Sequence, residues 1–284
     1  LHDSPHFAPQ VGVMTNLAPD HLDRYPSAEA YYADKRLLFR NARQDDVWIL
    51  NADDPLVLAL ARGVAGRQMQ FSLAKRADAW YDRAARTLRW GEGGVVGVGL
   101  LRRDELHLLG DHNVANALAA ALAVREAGVA PAVIATGLRS FRALPHRLEP
   151  VGEVDAGGVL WINDSKATNI AATTVAIAAM DRPFVLLLGG RHKGEPYTSL
   201  APLLAAKCRL VIAYGEAGPI VEKDLGGTVR LERGTTFEDV VARARRAALR
   251  GDAVLLSPAC SSYDMFKNYE ERGATFRRLV RGGA

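Results

Sequence analysis

The chain has 284 residues, enough for two domains with real cores, and its 49% hydrophobic and 24% charged content is that of an ordinary soluble globular protein, not a disordered or fibrous one. The net charge of +4 is carried by scattered basic residues. The cluster Arg243, Arg245, Arg246 and Arg250 reads as the solvated face of a helix, so no nucleic-acid partner is expected. No apolar run is long enough to span a membrane, no signal peptide is expected, and Cys208 and Cys260 lack CxxC or zinc spacing, which points to a reduced, cytoplasmic setting.

The first residues, Leu-His-Asp-Ser-Pro, include no initiator Met, and a buried strand follows at 11–15, so the chain reads as entered in mid-domain. An Asp-His pair, Asp20 and His21, lies just past that strand. Imidazole beside a carboxylate suits a metal or phosphate site, and it equally suits a loop with a surface histidine. Ser27 is placed to cap a helix over about 28–41, within which Lys35 reads, on spacing alone, as a solvated cation. A strand over 46–50 ends in Asn-Ala-Asp-Asp-Pro, with Asp54 as cap and Pro55 as first residue of the next helix. A short apolar-polar stretch runs over 68–73. Residues 79–109 alternate in hydrophobicity around a glycine cluster and predict antiparallel β-structure. A long Ala-rich helix then starts at Gly110-Asp111-His112 and runs to about 127. Asn113 and Asn116, three apart, share one face near its start, where amides either read a base edge or cap the helix. Pro131 opens another helix, to about 141.

Residues 144–149 predict a linker, because the strand–helix rhythm restarts after them. Strands are expected at 159–162, 184–188, 210–214, 229–231 and 253–256. Helices are expected at 169–180, about 199–206, 217–224, 236–249 and 264–280. This alternation predicts an α/β fold with a doubly wound, mostly parallel sheet. The division expected is 1–143 and 144–284.

Polar residues collect where strands of the second half end. In such sheets ligands bind beyond the carboxyl ends of the strands. The turn at 163–169 holds a carboxylate, an ammonium, two hydroxyls and two amides. Capping by Asp164, Ser165 or Thr168 uses one or two of them and leaves Lys166 unexplained. The turn at 189–194 is glycine-rich but is no phosphate loop, since GxxxxGK[ST] is absent from the chain. Lys193 in it suits a carboxylate. The third turn, 257–264, offers hydroxyls and backbone N–H groups ahead of a helix. Three such turns from one sheet edge are hard to explain as separate caps. Cys260 beside them reads as a small packed residue.

The segments NDSKATN (163–169), LLGGRHKG (187–194) and SPACSSYDMFKNYEERG (257–273) resemble the Mur ligase family. NLAPDHLDRY (16–25), NADD (51–54), GDHNVAN (110–116) and PHR (145–147) fit it in the same order, and the resemblance covers essentially the whole chain. NADD or PHR alone is a weak signal. The resemblance implies the C-terminal portion of a Mur-type central ATP-binding domain, followed by a Rossmann-like domain that binds the incoming amino acid. A family N-terminal domain, the GTNGKST-type phosphate loop and a magnesium-holding Glu have no counterpart in these residues. On this ground the chain alone is expected to be inactive.

The implied chemistry is ATP-dependent amide ligation through an acyl phosphate. The NDSKATN turn favours the branch that adds D-glutamate to UDP-N-acetylmuramoyl-L-alanine in peptidoglycan synthesis. Relatives that add other amino acids carry different residues there. The resemblance implies ATP and Mg2+, no membrane insertion and a monomer. It makes His21 a magnesium ligand and Lys35 a carbamylated lysine serving the same metal. Asn113 and Asn116 would lie near adenine, Arg147 and Asp164 on ATP across a domain closure, and Lys166 near the transferred phosphoryl group. Thr168, Lys193, Ser262, Tyr263 (by its backbone N–H) and Tyr269 would hold D-glutamate. Many relatives carry Phe at the Tyr269 position. The alternatives kept open are another amide ligase of the same superfamily and a non-catalytic nucleotide- or amino-acid-binding fragment. A dinucleotide dehydrogenase domain is disfavoured by the lack of GxGxxG after a strand.

Overall fold

The computed structural model describes residues 1–18, 25–92, 95–153 and 158–282. The chain forms two compact units, Leu1–His107 with Asp111–Phe141, and Leu108–Gly110 with Arg142–Ala284. Among the described residues no helix is long and apolar enough to cross a membrane.

The first unit runs β1 (Val11–Met14), α1 (Ala28–Arg36), β2 (Val47–Asn51), α2 (Pro55–Leu60), β3 (Arg67–Ser72), β4 (Ala79–Asp82), β5 (Thr87–Glu92), β6 (Val95–Arg102), α3 (Asp111–Glu126) and α4 (Pro131–Ser140). Its strands lie in sequence order in one sheet. β1 to β4 pair parallel, while β4–β5 and β5–β6 pair antiparallel. The alternating stretch is therefore antiparallel as expected, except that its first strand joins β3 in parallel. The expected caps form: Ser27 Oγ accepts from Ala30 N at 3.2 Å, and Asp54 Oδ1 from Leu56 N at 2.9 Å. α1 stops at Arg36 and tightens into a 3₁₀ turn, Leu37–Phe39, so it is shorter than its pattern suggests. Phe39 then packs with Met14, Trp48, Leu50 and Val57 in the core.

The second unit runs β7 (Glu149–Glu153), β8 (Leu160–Asn163), α5 (Ile170–Ala178), β9 (Phe184–Gly189), α6 (Ala201–Lys207), β10 (Cys208–Tyr214), α7 (Gly218–Leu225), β11 (Leu231–Arg233), α8 (Phe237–Ala247), β12 (Ala253–Leu256) and α9 (Tyr269–Val280). Its sheet has the order β11-β10-β9-β12-β8-β7, parallel except for β7 on β8. The strands read as continuous apolar runs because helices cover both faces. Alternate residues part accordingly. Leu186 and Leu188 join α5, α6 and α7 through Ile177, Leu204 and Val221. Val185 and Leu187 join α8 and α9 through Val240 and Phe276. Each such side chain, fully buried, contributes roughly 1.5–3 kcal/mol.

Three local expectations change. Residues 149–153, expected in part as linker, form the antiparallel edge strand β7. β11 lies two residues later than expected. α9 starts at Tyr269, not near 264: Asn268 Oδ1 accepts from Glu271 N at 2.8 Å and Glu271 Oε2 from Lys267 N at 2.7 Å, a reciprocal cap that fixes the helix start.

Candidate functional site

The three polar turns leave the carboxyl ends of β8, β12 and β9, which are neighbours in the sheet. The chain crosses from β8 to β9, winds outward to β11, then returns to lay β12 between them. That is a topological switch point, where open α/β sheets form a crevice. Main-chain bonds lace the turns together. Ala259 N donates to Ala167 O at 2.9 Å, Gly189 N to Pro258 O at 3.1 Å, and Arg191 N to Ser261 O at 2.9 Å.

In the first turn the helix cap is Asn169, whose Oδ1 accepts from Ala172 N at 2.8 Å. Asp164, Ser165 and Thr168 do not cap α5, and Lys166 lies outside its first turn. Asp164 is 8% exposed and both its oxygens are engaged. Oδ1 accepts from Leu148 N at 3.1 Å and Oδ2 from Ser257 Oγ at 2.9 Å. Burial pushes its carboxyl up from 3.8 to about 7, against the pull of those hydrogen bonds and of the Arg147 charge. Within this unit Asp164 acts on the protein itself, anchoring the segment that carries Arg147.

That segment is held in an unfavourable shape. His146 and Leu148 have φ of 65° and 45°, and Ala259 in the third turn has 57°. Non-glycine residues enter this region at a cost of order 1–3 kcal/mol each. Each of these backbone N–H groups is bound by the site, His146 N to Glu149 Oε2 at 3.0 Å, Leu148 N to Asp164, and Ala259 N to Ala167 O. Asn163 Nδ2 lies 3.0 Å from both His146 Nδ1 and Glu149 Oε2. A Cβ on Gly273 would sit 2.1 Å from His146 Nδ1, so only glycine lets α9 approach there.

The result is a buried frame under exposed cations. Arg147, Lys166 and Lys193 are exposed. Lys166 Nζ stands 5.4 Å from the Tyr269 ring centroid, and the His146 ring meets Tyr269 edge-on at 5.9 Å. Lys193 follows Gly189 and Gly190, where a Cβ would strike Tyr214 O at 2.1 Å and Ser261 O at 2.3 Å. Thr168 is half-buried, Ser262 is buried and Tyr263 is 64% exposed. Cys260 is fully buried, with its sulfur 2.8 Å from Tyr197 Oη, and burial pushes its thiol up to about 11. It is a packed residue, not a reactive one. Ser257, Glu149 and Arg272 belong to the frame and were not singled out from the sequence. Arg272 was legible in principle, as a charge in the buried i, i+4, i+8 stripe with Phe276 and Val280.

In the first unit the candidates are more dispersed. Lys35 is exposed, with Nζ 4.9 Å from the Tyr31 ring centroid. Asn113 and Asn116 share a face of α3, with Asn116 Nδ2 donating to Asn113 Oδ1 at 3.4 Å. The NADD segment is a structural tie. Asn51 Nδ2 donates to Thr15 O at 2.8 Å, Asp53 Oδ1 accepts from Ser72 Oγ at 2.6 Å, and Asp54 Oδ2 accepts from Leu17 N at 2.9 Å. His21 lies outside the described residues. Among the described residues no three His, Cys, Asp or Glu side chains gather in a metal-holding group. Lys35 by itself is no metal site.

Residues 2–124 match the Mur ligase middle domain, and residues 146–260 the Mur ligase glutamate ligase domain. The chain is 45% identical over 282 residues to UDP-N-acetylmuramoylalanine--D-glutamate ligase of Salinibacter ruber, covering 96% of this chain and 60% of that protein. It is 41% identical over 275 residues to the protein of the same name from Myxococcus xanthus, with the same coverage. The chain thus spans about 60% of the length of the curated relatives it matches. Among solved structures, MurF from Acinetobacter baumannii superposes with a TM-score of 0.70 at 16% identity, covering 96% of this chain and 60% of that one. A pseudomurein peptide ligase type C from Methanothermus fervidus gives 0.70 at 17%, covering 96% and 63%. These two likenesses speak for the fold.

Proposed function

The chain belongs to the Mur ligase family, and from that premise we propose that the protein containing it joins D-glutamate to UDP-N-acetylmuramoyl-L-alanine at the expense of ATP, in the cytoplasm and as a monomer, during peptidoglycan precursor synthesis. The observation that carries this reading is the identity of 40–45% to D-glutamate ligases along almost the whole chain. The laced turns with their exposed Lys166 and Lys193 support it, since an amino acid with two carboxylates calls for fixed cations at a strand-end crevice.

In the proposed reaction a carboxylate oxygen of the alanyl substrate attacks the terminal phosphorus of ATP, and ADP leaves with the electrons of the broken P–O bond. The amine of D-glutamate then attacks the acyl carbon, loses a proton, and phosphate departs as the amide forms. Lys193 pairs with the side-chain carboxylate of D-glutamate. Thr168, Ser262, the Tyr263 N–H and Tyr269 orient the amino acid. Lys166 stands where oxyanion and phosphoryl charge develop, and a pre-set cation stabilises that charge without reorganisation. Arg147 binds ATP, and Asp164 serves by fixing the Arg147 segment. Asn113 and Asn116 take the adenine edge.

Magnesium, which would neutralise phosphate charge, is assigned to His21 and to Lys35 as its carbamate. The described residues do not make that site unaided. The complete protein should consume ATP only when both the UDP-sugar and D-glutamate are supplied, and the 284-residue chain alone should not turn over. A complete protein that ligates a different amino acid in place of D-glutamate would overturn the first expectation, and turnover by the isolated chain the second.

A further inference from the structure

Arg272 is fully buried on α9, on the same stripe as Phe276 and Val280. Its Nε donates to Ser165 Oγ at 2.9 Å and its Nη2 to Ser165 O at 2.8 Å. Nη1 and Nη2 both donate to Cys260 O at 3.2 Å. A Cβ on Gly190 would lie 3.2 Å from Nη1. One guanidinium therefore bonds to two of the turns, at Ser165 in the first and Cys260 in the third, and its Nη1 occupies the space that a side chain at Gly190 in the second would need. Ser165 Oγ in turn donates to Tyr269 O at 2.8 Å, tying the start of α9 into the same cluster.

The acceptors are all neutral. Among the described residues no carboxylate hydrogen-bonds or ion-pairs with Arg272, and the Asp264 carboxylate accepts at Oδ2 from Glu216 N at 3.0 Å. Burying a cation on neutral oxygens is costly, and an apolar side chain of similar volume would serve stability at least as well. What the guanidinium supplies that an apolar residue does not is a planar fork of donors with fixed directions and a permanent charge.

We infer that Arg272 is the positioning residue of the amino-acid site. It holds the turns bearing Thr168, Lys193 and Ser262 in one register, and its charge biases the crevice toward a dicarboxylate ligand. This inference rests on the ligase reading above.

The test is steady-state kinetics in the complete protein with Arg272→Lys, Arg272→Gln and Ser165→Ala, measuring KM for D-glutamate, KM for ATP and kcat separately, with circular dichroism as the check on folding. Arg272→Gln should raise the KM for D-glutamate by about 100-fold, and Ser165→Ala by about 10-fold, for the loss of hydrogen bonds to a charged group. Arg272→Lys keeps the charge and should fall between the parent and the Gln variant. The KM for ATP should stay within about 3-fold throughout, the ordinary scatter of a site not touched. A folded Arg272→Gln protein with the parent KM for D-glutamate overturns the inference, as does a rise in both KM values in step, which marks general loosening. If the Arg272 variants do not fold, Ser165→Ala decides, and an unchanged KM overturns the inference. A parent that ligates no D-glutamate overturns the activity reading itself, and the role given to Arg272 with it.

Discussion

The two units present their candidate residues in different ways. In the second, exposed Arg147, Lys166 and Lys193 stand on a frame of buried polar groups, Asn163, Asp164, Ser165, Ser257 and Arg272, each hydrogen-bonded to another in the frame. In the first, Lys35 rests on the Tyr31 ring, and Asn113 and Asn116 meet through a 3.4 Å contact. Preorganisation of this kind is what holds reacting groups in place, so the candidate residues of the second unit stand on a braced frame. The first offers surface residues whose ligand must supply the order. Mutations should therefore act on stability and affinity together in the frame of the second unit, and on affinity alone at the surface residues of either.

The largest effect is expected for Asp164→Ala. It strands Leu148 N in the interior, leaves Ser257 Oγ with Thr173 Oγ1 as its remaining partner, and releases the strained Leu148, at roughly 2–4 kcal/mol for one orphaned donor and the lost brace. Hydrogen exchange resolved along the chain should show lost protection in β8 and β12 while β1 to β3 keep theirs. Uniform loss in both units would break the contrast drawn here.

Next is Lys193→Ala. The side chain is exposed, so the fold should be unchanged, while the KM for D-glutamate rises by about 10- to 100-fold, as for a charge-assisted contact of roughly 1.5–3 kcal/mol. An unaltered KM removes Lys193 from the site.

The raised Asp164 carboxyl gives a pH prediction. Its folded value, about 7, lies above the 3.8 of an ordinary carboxylate, so between the two the native state holds a proton that the unfolded chain has released. The associated stability is fully present below about pH 4 and is lost as pH rises through 7. Asp164→Asn lacks this titration. Urea denaturation at pH 5 and pH 7.5 should find the Asn variant gaining on the parent by about 2 kcal/mol at the higher pH. A gap that does not change with pH shows that Asp164 stays ionised.

The smallest effect belongs to Asn116→Ala. Exposed and weakly bonded, it should change stability by no more than about 0.5 kcal/mol while raising the KM for ATP. A stability loss well beyond that would mean that the first unit, too, is internally braced at this face.

The sequence by itself determined the alternation of strands and helices, the caps at Ser27 and Asp54, and the presence of polar turns after the strands of the second unit. These are local signals: apolar periodicity, turn chemistry and motif spelling act over a few residues. Only the tertiary structure decided that the turns come from the adjacent strands β8, β12 and β9, because strand order depends on contacts a hundred residues apart. The same holds for Asp164, which spells like a ligand or a cap and whose two oxygens are bound by Leu148 N and Ser257 Oγ, and for Asn169, which takes the cap. Arg272 shows in sequence only as a charge four and eight residues before the apolar Phe276 and Val280. What makes it the shared partner of Ser165 and Cys260 is the packing of α9 against the sheet, which removes it from water and leaves those oxygens as the acceptors within reach.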